Sequence, residues 1–255
     1  MSRITRRKFL GLTALALPAA LGADARFIEP TALRTTKFSL SGGKGDCRFV
    51  HFTDFHFKGN ANYAAEVVRT INDLAPDFVC FTGDLVEDAR FAPEALGFIQ
   101  QIRAPVYGSP GNHEYTSGIS FTDLERVFSA TGGAWLSDRS VVIPKHDLEI
   151  VGIALRGTRT FTPPQANRRL SLMHYPQMAN WLGEQRFDLI LAGHSHGGQV
   201  RMPFYGALWL PDAVGPYQLG YYDTPAGPLF VNAGIGTYWF PLRWNCRPEV
   251  TVVTI

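Results

Sequence analysis

The residues of this chain best equipped for chemistry are Asp54-Phe55-His56, Gly83-Asp84, Asn112-His113-Glu114, His174 and His194-Ser195-His196. Carboxylates, imidazoles and a carboxamide without a neighbouring thiolate are the nitrogen and oxygen ligands of divalent cations. Two cations a few ångströms apart need a shared anionic ligand between them and mostly neutral imidazoles around them, so that their Lewis acidity is not quenched. Asp84 is the natural bridge, because the preceding Gly lets the backbone turn sharply. Asp54, His56 and His196 would complete one metal site; Asn112, His174 and His194 would complete the other. In an extended segment, the alternation His194-Ser195-His196 would send both imidazoles to the same side. Five of the chain's seven histidines fall in these motifs, so the set reads as a unit.

Each motif ends a short apolar run: Phe49–Thr53, Phe78–Thr82, Pro105–Tyr107, Leu170–Met173 and Leu189–Ala192. Strands that stop at reactive side chains along one sheet edge are how open α/β proteins build active sites. Helical stripes lie between the runs. Ala64, Val67, Val68, Ile71 and Leu74 follow Asn60 or Asn62 as N-cap; Leu96, Ile99 and Ile102 follow Pro93; Leu124, Val127 and Phe128 follow a capping box at Thr122-x-x-Glu125. Alternating strand and helix implies parallel pairing with helices on the faces. A hairpin is expected from Val141–Ile143 and Leu148–Val151. That hairpin and the β-rich segments Tyr221-Tyr222, Leu229–Val231 and Val250–Val253 predict a mixed second sheet. The Pro/Gly-rich stretch from Pro203 to Tyr217 is expected to form an ordered loop over the site.

In order, these motifs resemble the signature of the calcineurin-like metallophosphoesterases, over roughly residues 46 to 255. The stretches Gly197–Pro203 and Gly234-Ile235-Gly236 through Pro248-Glu249 are similar to one bacterial branch. That branch holds exported or membrane-associated phosphodiesterases and is similar to some UDP-diacylglucosamine pyrophosphatases. The resemblance implies a four-layer α/β/β/α sandwich, two mixed sheets flanked by helices, and supports the ligand roles above. It also implies that His113 lies beside the phosphate and protonates the leaving oxygen, with Asn112 and His113 holding phosphoryl oxygens. Glu114 would orient His113 from the other ring nitrogen. The chain departs from many relatives at Ile153–Arg156, where an acidic residue is common, so substrate identity does not transfer.

The expected reaction is hydrolysis of a phosphate ester by water activated between two metals. Manganese, iron and zinc all suit the ligand set. A phosphodiesterase or pyrophosphatase is the first reading and a phosphomonoesterase the second, because monoester enzymes add cationic side chains and only Arg201 and Arg156 are candidates here. Arg201 is taken as substrate-binding. Trp209, Tyr217, Trp239, Phe240 and Trp244 could line an apolar groove for a lipid-linked head group. A non-catalytic metal-binding scaffold is the rival from another class; such scaffolds lose ligands or the acid histidine, and this chain retains them. His51, three positions before Asp54 in a strand, is read as core or as a support behind the ligands, and His146 as a solvated turn residue.

At 255 residues and 45% hydrophobic, the chain suits one large domain. Its N-terminus stands apart. Arg3, Arg6, Arg7 and Lys8 precede an uncharged stretch from Phe9 to Ala23, shorter than the about 20 residues of a membrane span. Small residues at Ala23-Asp24-Ala25 complete an export signal over residues 1–25, and Arg6-Arg7-Lys8-Phe9-Leu10 resembles the twin-arginine type. Export machinery would then be a partner and the cell envelope the destination, with membrane anchoring if the signal stays. Export after folding would let the cytoplasm load the metals, which favours manganese or iron. Without residues 1–25 the chain carries 20 basic and 21 acidic residues, and no basic stripe suggests nucleic acid. An oxidising compartment would permit a Cys47–Cys246 disulfide, while Cys80 sits within an apolar strand.

Overall fold

Apolar runs that do not alternate with polar residues mark strands buried on both faces. In the computed structural model, which describes residues 16, 18–40, 42, 45–156 and 162–255, such runs form the centre of two six-stranded mixed sheets. The first sheet has the order β1 (Arg34–Ser39), β14 (Glu249–Thr254), β2 (Arg48–Phe52), β3 (Val79–Phe81), β4 (Val106–Gly108), β5 (Ala134–Trp135). The second has β12 (Gly220–Thr224), β13 (Gly227–Val231), β9 (Leu189–Ala192), β8 (Arg168–Met173), β7 (Leu148–Ile153), β6 (Arg139–Ile143). Strands β2 to β5 are parallel, as are β13, β9, β8 and β7.

Period-two geometry sorts the side chains into layers. Phe49, Phe78 and Cys80 point between the sheets and meet Leu148, Ile150, Leu170, Leu172, Leu189 and Leu191. Val50, Phe52, Val79 and Phe81 point outward and meet the apolar faces of α1 (Ala61–Asp73), α2 (Ala92–Gln100) and α4 (Phe121–Ala130). A short helix, α3, spans His113–Thr116. Val151, Ile153, Met173 and Ile190 face the outside of the second sheet, covered by the 3-10 helix Pro176–Trp181 and the Val214–Tyr217 segment. These are the four layers of the expected sandwich.

Local signals behave unevenly. Asn60 caps α1 through its side chain, accepting from Tyr63 N at 3.2 Å. Pro93 lies in the first turn of α2. The capping box at Thr122 does not form: α4 starts earlier, and Ser120 accepts from Asp123 N at 3.2 Å. The Val141 hairpin is present, with Pro144–His146 as its 3-10 connection. His146 is not solvated; it is buried beside Phe78, 3.5 Å from Asp77. Val250–Val253 belongs to the first sheet, inserted between β1 and β2. Neither neighbour is close in sequence, so no local pattern could place it. Cys47 packs between the sheets, Cys246 packs beneath His196, and all three cysteines are free.

Most of the expected export signal falls outside the described residues. Its last residue belongs to the fold: Ala25 is buried and its carbonyl accepts from Arg243 N, and just beyond the signal the Glu29 carboxylate accepts from Asn245 N and Cys246 N. Among the described residues no helix is long and apolar enough to cross a membrane.

His51 lies between the sheets with Nε2 3.0 Å from Thr82 Oγ1, and full burial pushes its pKa down to about 3. The unfolded chain takes up this proton near 6.5, so the group binds more protons unfolded than folded between those values. Stability is therefore complete above about pH 6.5 and falls as pH drops toward 3, by about 1.4 kcal/mol per unit from this residue. His51→Leu should show a shallower loss of thermal midpoint on acidification than the parent chain. Equal slopes would contradict the buried neutral imidazole.

Candidate dinuclear metal site

All seven predicted ligands lie just past the C-terminal ends of parallel strands, and both sheets deliver them to one place. Asp54 and His56 follow β2, Asp84 follows β3, Asn112 follows β4, His174 follows β8, and His194 and His196 follow β9. The backbone there is unusual. Asp54, His56, Asp84, His194 and His196 have φ of 52°, 42°, 62°, 68° and 49°. Left-handed backbone at non-Gly residues costs about 1–3 kcal/mol each and clusters at functional sites. His194 and His196 are thus left-handed on either side of a right-handed Ser195, and His196 opens a short 3-10 helix, so the segment is not the extended strand the alternation suggested. Glycine lets the loops approach: a Cβ on Gly193 would lie 2.1 Å from Thr53 Oγ1, and one on Gly83 would lie 2.1 Å from Gly111 N.

The polar atoms converge in two adjacent groups, joined by a third made of His56, Asp84 and His113. Asp54, His56 and His196 form one, and Asp84, His174 and His194 the other, each with one ligand atom per residue mutually within 4.8 Å. His196 Nε2 is 3.3 Å from Asp54 Oδ1 and 3.1 Å from His56 Nε2. Asp84 Oδ2 lies 3.5 Å from His56 Nε2 and 3.1 Å from His174 Nε2, so it stands between the groups. Asn112 Oδ1 is 3.1 Å from His174 Nε2, and His194 Nδ1 is 3.2 Å from the same nitrogen.

Outer partners set the tautomers. His174 Nδ1 donates to Thr82 O at 2.7 Å and His194 Nε2 donates to Asp212 O at 2.8 Å. The nitrogens of these rings that face each other are then lone pairs in their neutral forms, which repel unless a cation joins them. His56 Nδ1 faces the Glu87 carboxylate at 3.1 Å, and Lys58 Nζ lies 2.8 Å from the same oxygen. Asp54 Oδ1 is buried without a hydrogen-bond donor. Orphaned carboxylate oxygen, opposed lone pairs and an all-nitrogen-and-oxygen donor set fit two divalent cations.

Charge tells the same story. Burial opposes ionisation of Asp54 and Asp84, but the imidazoles around them outweigh it and hold both carboxyls below the usual range. Burial also opposes protonation of His56 and His174, and the neighbouring carboxylates outweigh it, lifting both to about 9. Burial dominates at His194, pushed down to about 4, and at His113, also lowered.

Several predicted roles change. Glu114 does not orient His113. Its buried carboxylate accepts from three backbone N–H groups, Asp84 at 2.9 Å, Leu85 at 2.8 Å and Gly111 at 2.6 Å, and so clamps the loop of Asp84 to that of Asn112. His113 N donates to Asp84 Oδ1 at 2.8 Å, and its ring lies 5.4 Å from that of Tyr238. Arg201 does not line the cleft; its Nη1 donates to Gly197 O at 2.7 Å and braces the turn after His196. Arg156 lies over the Tyr115 ring.

Sequence reasoning missed Glu87, Tyr238 and Arg243. Glu87 had a signal, an acid three residues past Asp84 after Leu85-Val86. Tyr238 packs against His56, His113 and His196, and nothing local marks it among the other aromatics. Arg243 is fully buried and donates to the carbonyls of Ala233, Gly234, Gly236 and Cys246. It thereby fixes the turn whose Gly234 abuts Asp54.

Two measurements follow. Metal uptake by the metal-free protein must displace protons from His56 and His174, so apparent affinity should rise with pH up to about 9. Calorimetry in buffers of different ionisation enthalpy would show the proton release; pH-independent affinity would contradict it. Glu114→Gln turns an amide N–H₂ toward backbone donors and should lower metal occupancy and turnover together, by about 10- to 100-fold. Lost turnover at full occupancy, with a shifted pH profile, would restore the His113-orienting role.

Comparison with known proteins agrees with this geometry. Residues 47–198 match the family described as calcineurin-like phosphoesterase. The chain is 28% identical to the metallophosphoesterase YkuE of Bacillus subtilis, over 100% of this chain and 99% of that protein. It is 26% identical to the phosphodiesterase YaeI of Escherichia coli, over 99% of each. With the UDP-2,3-diacylglucosamine pyrophosphatase LpxG of Chlamydia trachomatis it shares 24% identity, over 94% of each. Among solved structures, TT1561 of Thermus thermophilus superposes with a TM-score of 0.50 at 9% identity, over 74% of this chain and 90% of that one, a likeness of fold. The chain belongs to the calcineurin-like phosphoesterase family, metal-dependent hydrolases that use two divalent ions.

Proposed function

We propose that this protein hydrolyses phosphodiester or pyrophosphate bonds in a lipid-linked substrate at the cell envelope. One observation carries the choice of bond. The cleft over the ligands, about 360 Å³, is lined by Asp84, Asn112, His113, His194 and His196 on one side and by Trp209, Leu210, Pro211, Asp212, Tyr238 and Trp239 on the other. Among these described residues none is Lys or Arg, the side chains that a doubly charged monoester would call for. The apolar wall suits a substrate with a hydrophobic portion. YaeI and LpxG, named as a phosphodiesterase and a UDP-2,3-diacylglucosamine pyrophosphatase, support the same reading.

Two divalent ions held by Asp54, His56, Asp84, Asn112, His174, His194 and His196 would supply an activated water and Lewis acidity at the phosphoryl oxygens. The chain's own groups do the rest. The Asn112 carboxamide and the His113 ring lie at the cleft wall, where they orient phosphoryl oxygens. Burial favours the neutral form of His113, which still carries one N–H to meet the leaving oxygen. Export by a twin-arginine route, and metal loading before it, complete the proposal; the sequence of residues 1–25 supports them.

A side-by-side assay of bis- and mono-nitrophenyl phosphate across manganese, iron and zinc tests the reading. Diester turnover should exceed monoester turnover, and Asp84→Ala or Asn112→Ala should abolish it. Faster monoester turnover would favour the phosphomonoesterase, and no turnover with two metals bound would favour the scaffold. His113→Asn should cost about 100-fold or more with an alkyl leaving group and much less with nitrophenolate, which leaves without a proton.

A further inference from the structure

The apolar wall of the cleft continues outward, through Trp209 and Trp239, into an exposed apolar surface. Phe204 and Tyr205 at the tip of the β10–β11 hairpin (Arg201–Met202 and Gly206–Ala207), Leu208, Trp209, Trp239 and Phe240 are all more than half exposed. Trp209 and Trp239 stack with ring centroids 5.9 Å apart, and Trp239 meets Phe240 at 6.4 Å. Exposed apolar groups this concentrated mark a binding surface.

The rim is one rigid block. Trp244 N donates to Gln199 O at 2.8 Å, Arg201 N to Trp244 O at 3.0 Å, and Tyr238 N to Gln199 Oε1 at 2.7 Å, so the hairpin and the loop carrying Trp239 are laced together. The N-terminal segment is rooted in the same block. Arg243 N donates to Ala25 O, Glu29 caps Asn245 and Cys246, and Phe27 shares a groove with Thr237 and Pro241. Beyond that root, residues 18–23, Pro-Ala-Ala-Leu-Gly-Ala, are helical, uncharged and exposed throughout, and Phe27 and Ile28 are exposed as well. The stretch Phe9–Ala23 has no charge, and Arg3, Arg6, Arg7 and Lys8 precede it.

We infer that this rim is a membrane-docking surface, resting on the interface of an anionic lipid bilayer with the cleft mouth at the headgroup level. Tryptophan and tyrosine partition to that depth, where one part of the ring is apolar and another wet. In the full chain, with the export signal retained, an apolar N-terminal segment and an aromatic patch on one block make two anchoring signals, the number that stable membrane attachment needs. The basic N-terminal run and Arg26 complement anionic headgroups. A lipid-linked phosphate would reach the metals without leaving the bilayer, its tail lying along the exposed faces of the Trp209–Trp239 pair. The inference deepens the proposed lipid-linked substrate and rests on it for its purpose, not for its geometry.

The full chain, reconstituted into phosphatidylethanolamine–phosphatidylglycerol vesicles containing dibrominated phosphatidylcholine, tests this. Bromine quenches only tryptophans that enter the bilayer. Quenching is expected in the parent chain and in Trp181→Phe, and should be lost in Trp209→Phe/Trp239→Phe. Phe204→Ser/Tyr205→Ser, at the exposed hairpin tip and outside the cleft lining, should lower quenching while keeping turnover of the soluble diester. Full quenching in the tryptophan double variant, or none in the parent chain bound to vesicles through its N-terminus, would overturn the docking. So would concentration-dependent dimerisation that protects Trp239 without lipid, which would assign the rim to a second copy. Soluble-diester turnover on the same samples reports separately on the hydrolytic reading.

Discussion

Two carboxylates, Asp54 and Asp84, lie buried within reach of the same imidazoles, and the architecture around them follows from making that burial tolerable. An ionised carboxylate removed from water needs compensation by charge or hydrogen bonds. Asp54 meets part of the need through His194 N at 2.9 Å, and Asp84 through His113 N. The rest falls to four imidazoles drawn from both sheets and to the cations for which they are arranged. The two sheets must therefore present their parallel-strand ends at one point. The small glycines Gly83, Gly111 and Gly193 permit that approach, and the left-handed loop residues accept its strain.

Around the carboxylates stands a set of braces that lie outside the cleft lining. Glu114 ties three backbone amides together, Arg243 gathers four carbonyls, and Glu87 faces His56 from outside. Both Glu114 and Arg243 are buried charges, and each is satisfied by backbone dipoles where it lies. They turn flexible loops into a preorganised cradle, which is what transition-state stabilisation requires. The Trp209–Trp239 rim is joined to this cradle through Gln199 and the turn after His196, so substrate access and metal ligation share one frame.

The strand ends and the convergence of their polar side chains were legible because buried parallel strands leave continuous apolar runs and because histidine is scarce. Five runs ending in metal-loving residues were enough to gather the candidate ligands in one place and to order the α/β layers. What escaped depends on contacts distant in sequence. Val250–Val253 reads as a strand, but its place between β1 and β2 is decided by neighbours about two hundred residues away. Glu114 beside His113 invited a side-chain role, and only the fold shows the amides of Asp84, Leu85 and Gly111 pointing at it. Arg201 next to the ligand loop suggested a phosphate clamp, yet its guanidinium turns back to Gly197. His146 in a polar turn looked solvated until Asp77 and Phe78 closed over it.

The central claim is a pair of cations sharing Asp84. Crystals of the metal-loaded full chain, measured at the absorption edge of the bound metal, address it most directly. The account predicts two anomalous peaks, both within ligand distance of the Asp84 carboxylate, with Asp54, His56 and His196 on one and Asn112, His174 and His194 on the other. A single peak, or two peaks of which only one touches Asp84, would contradict it.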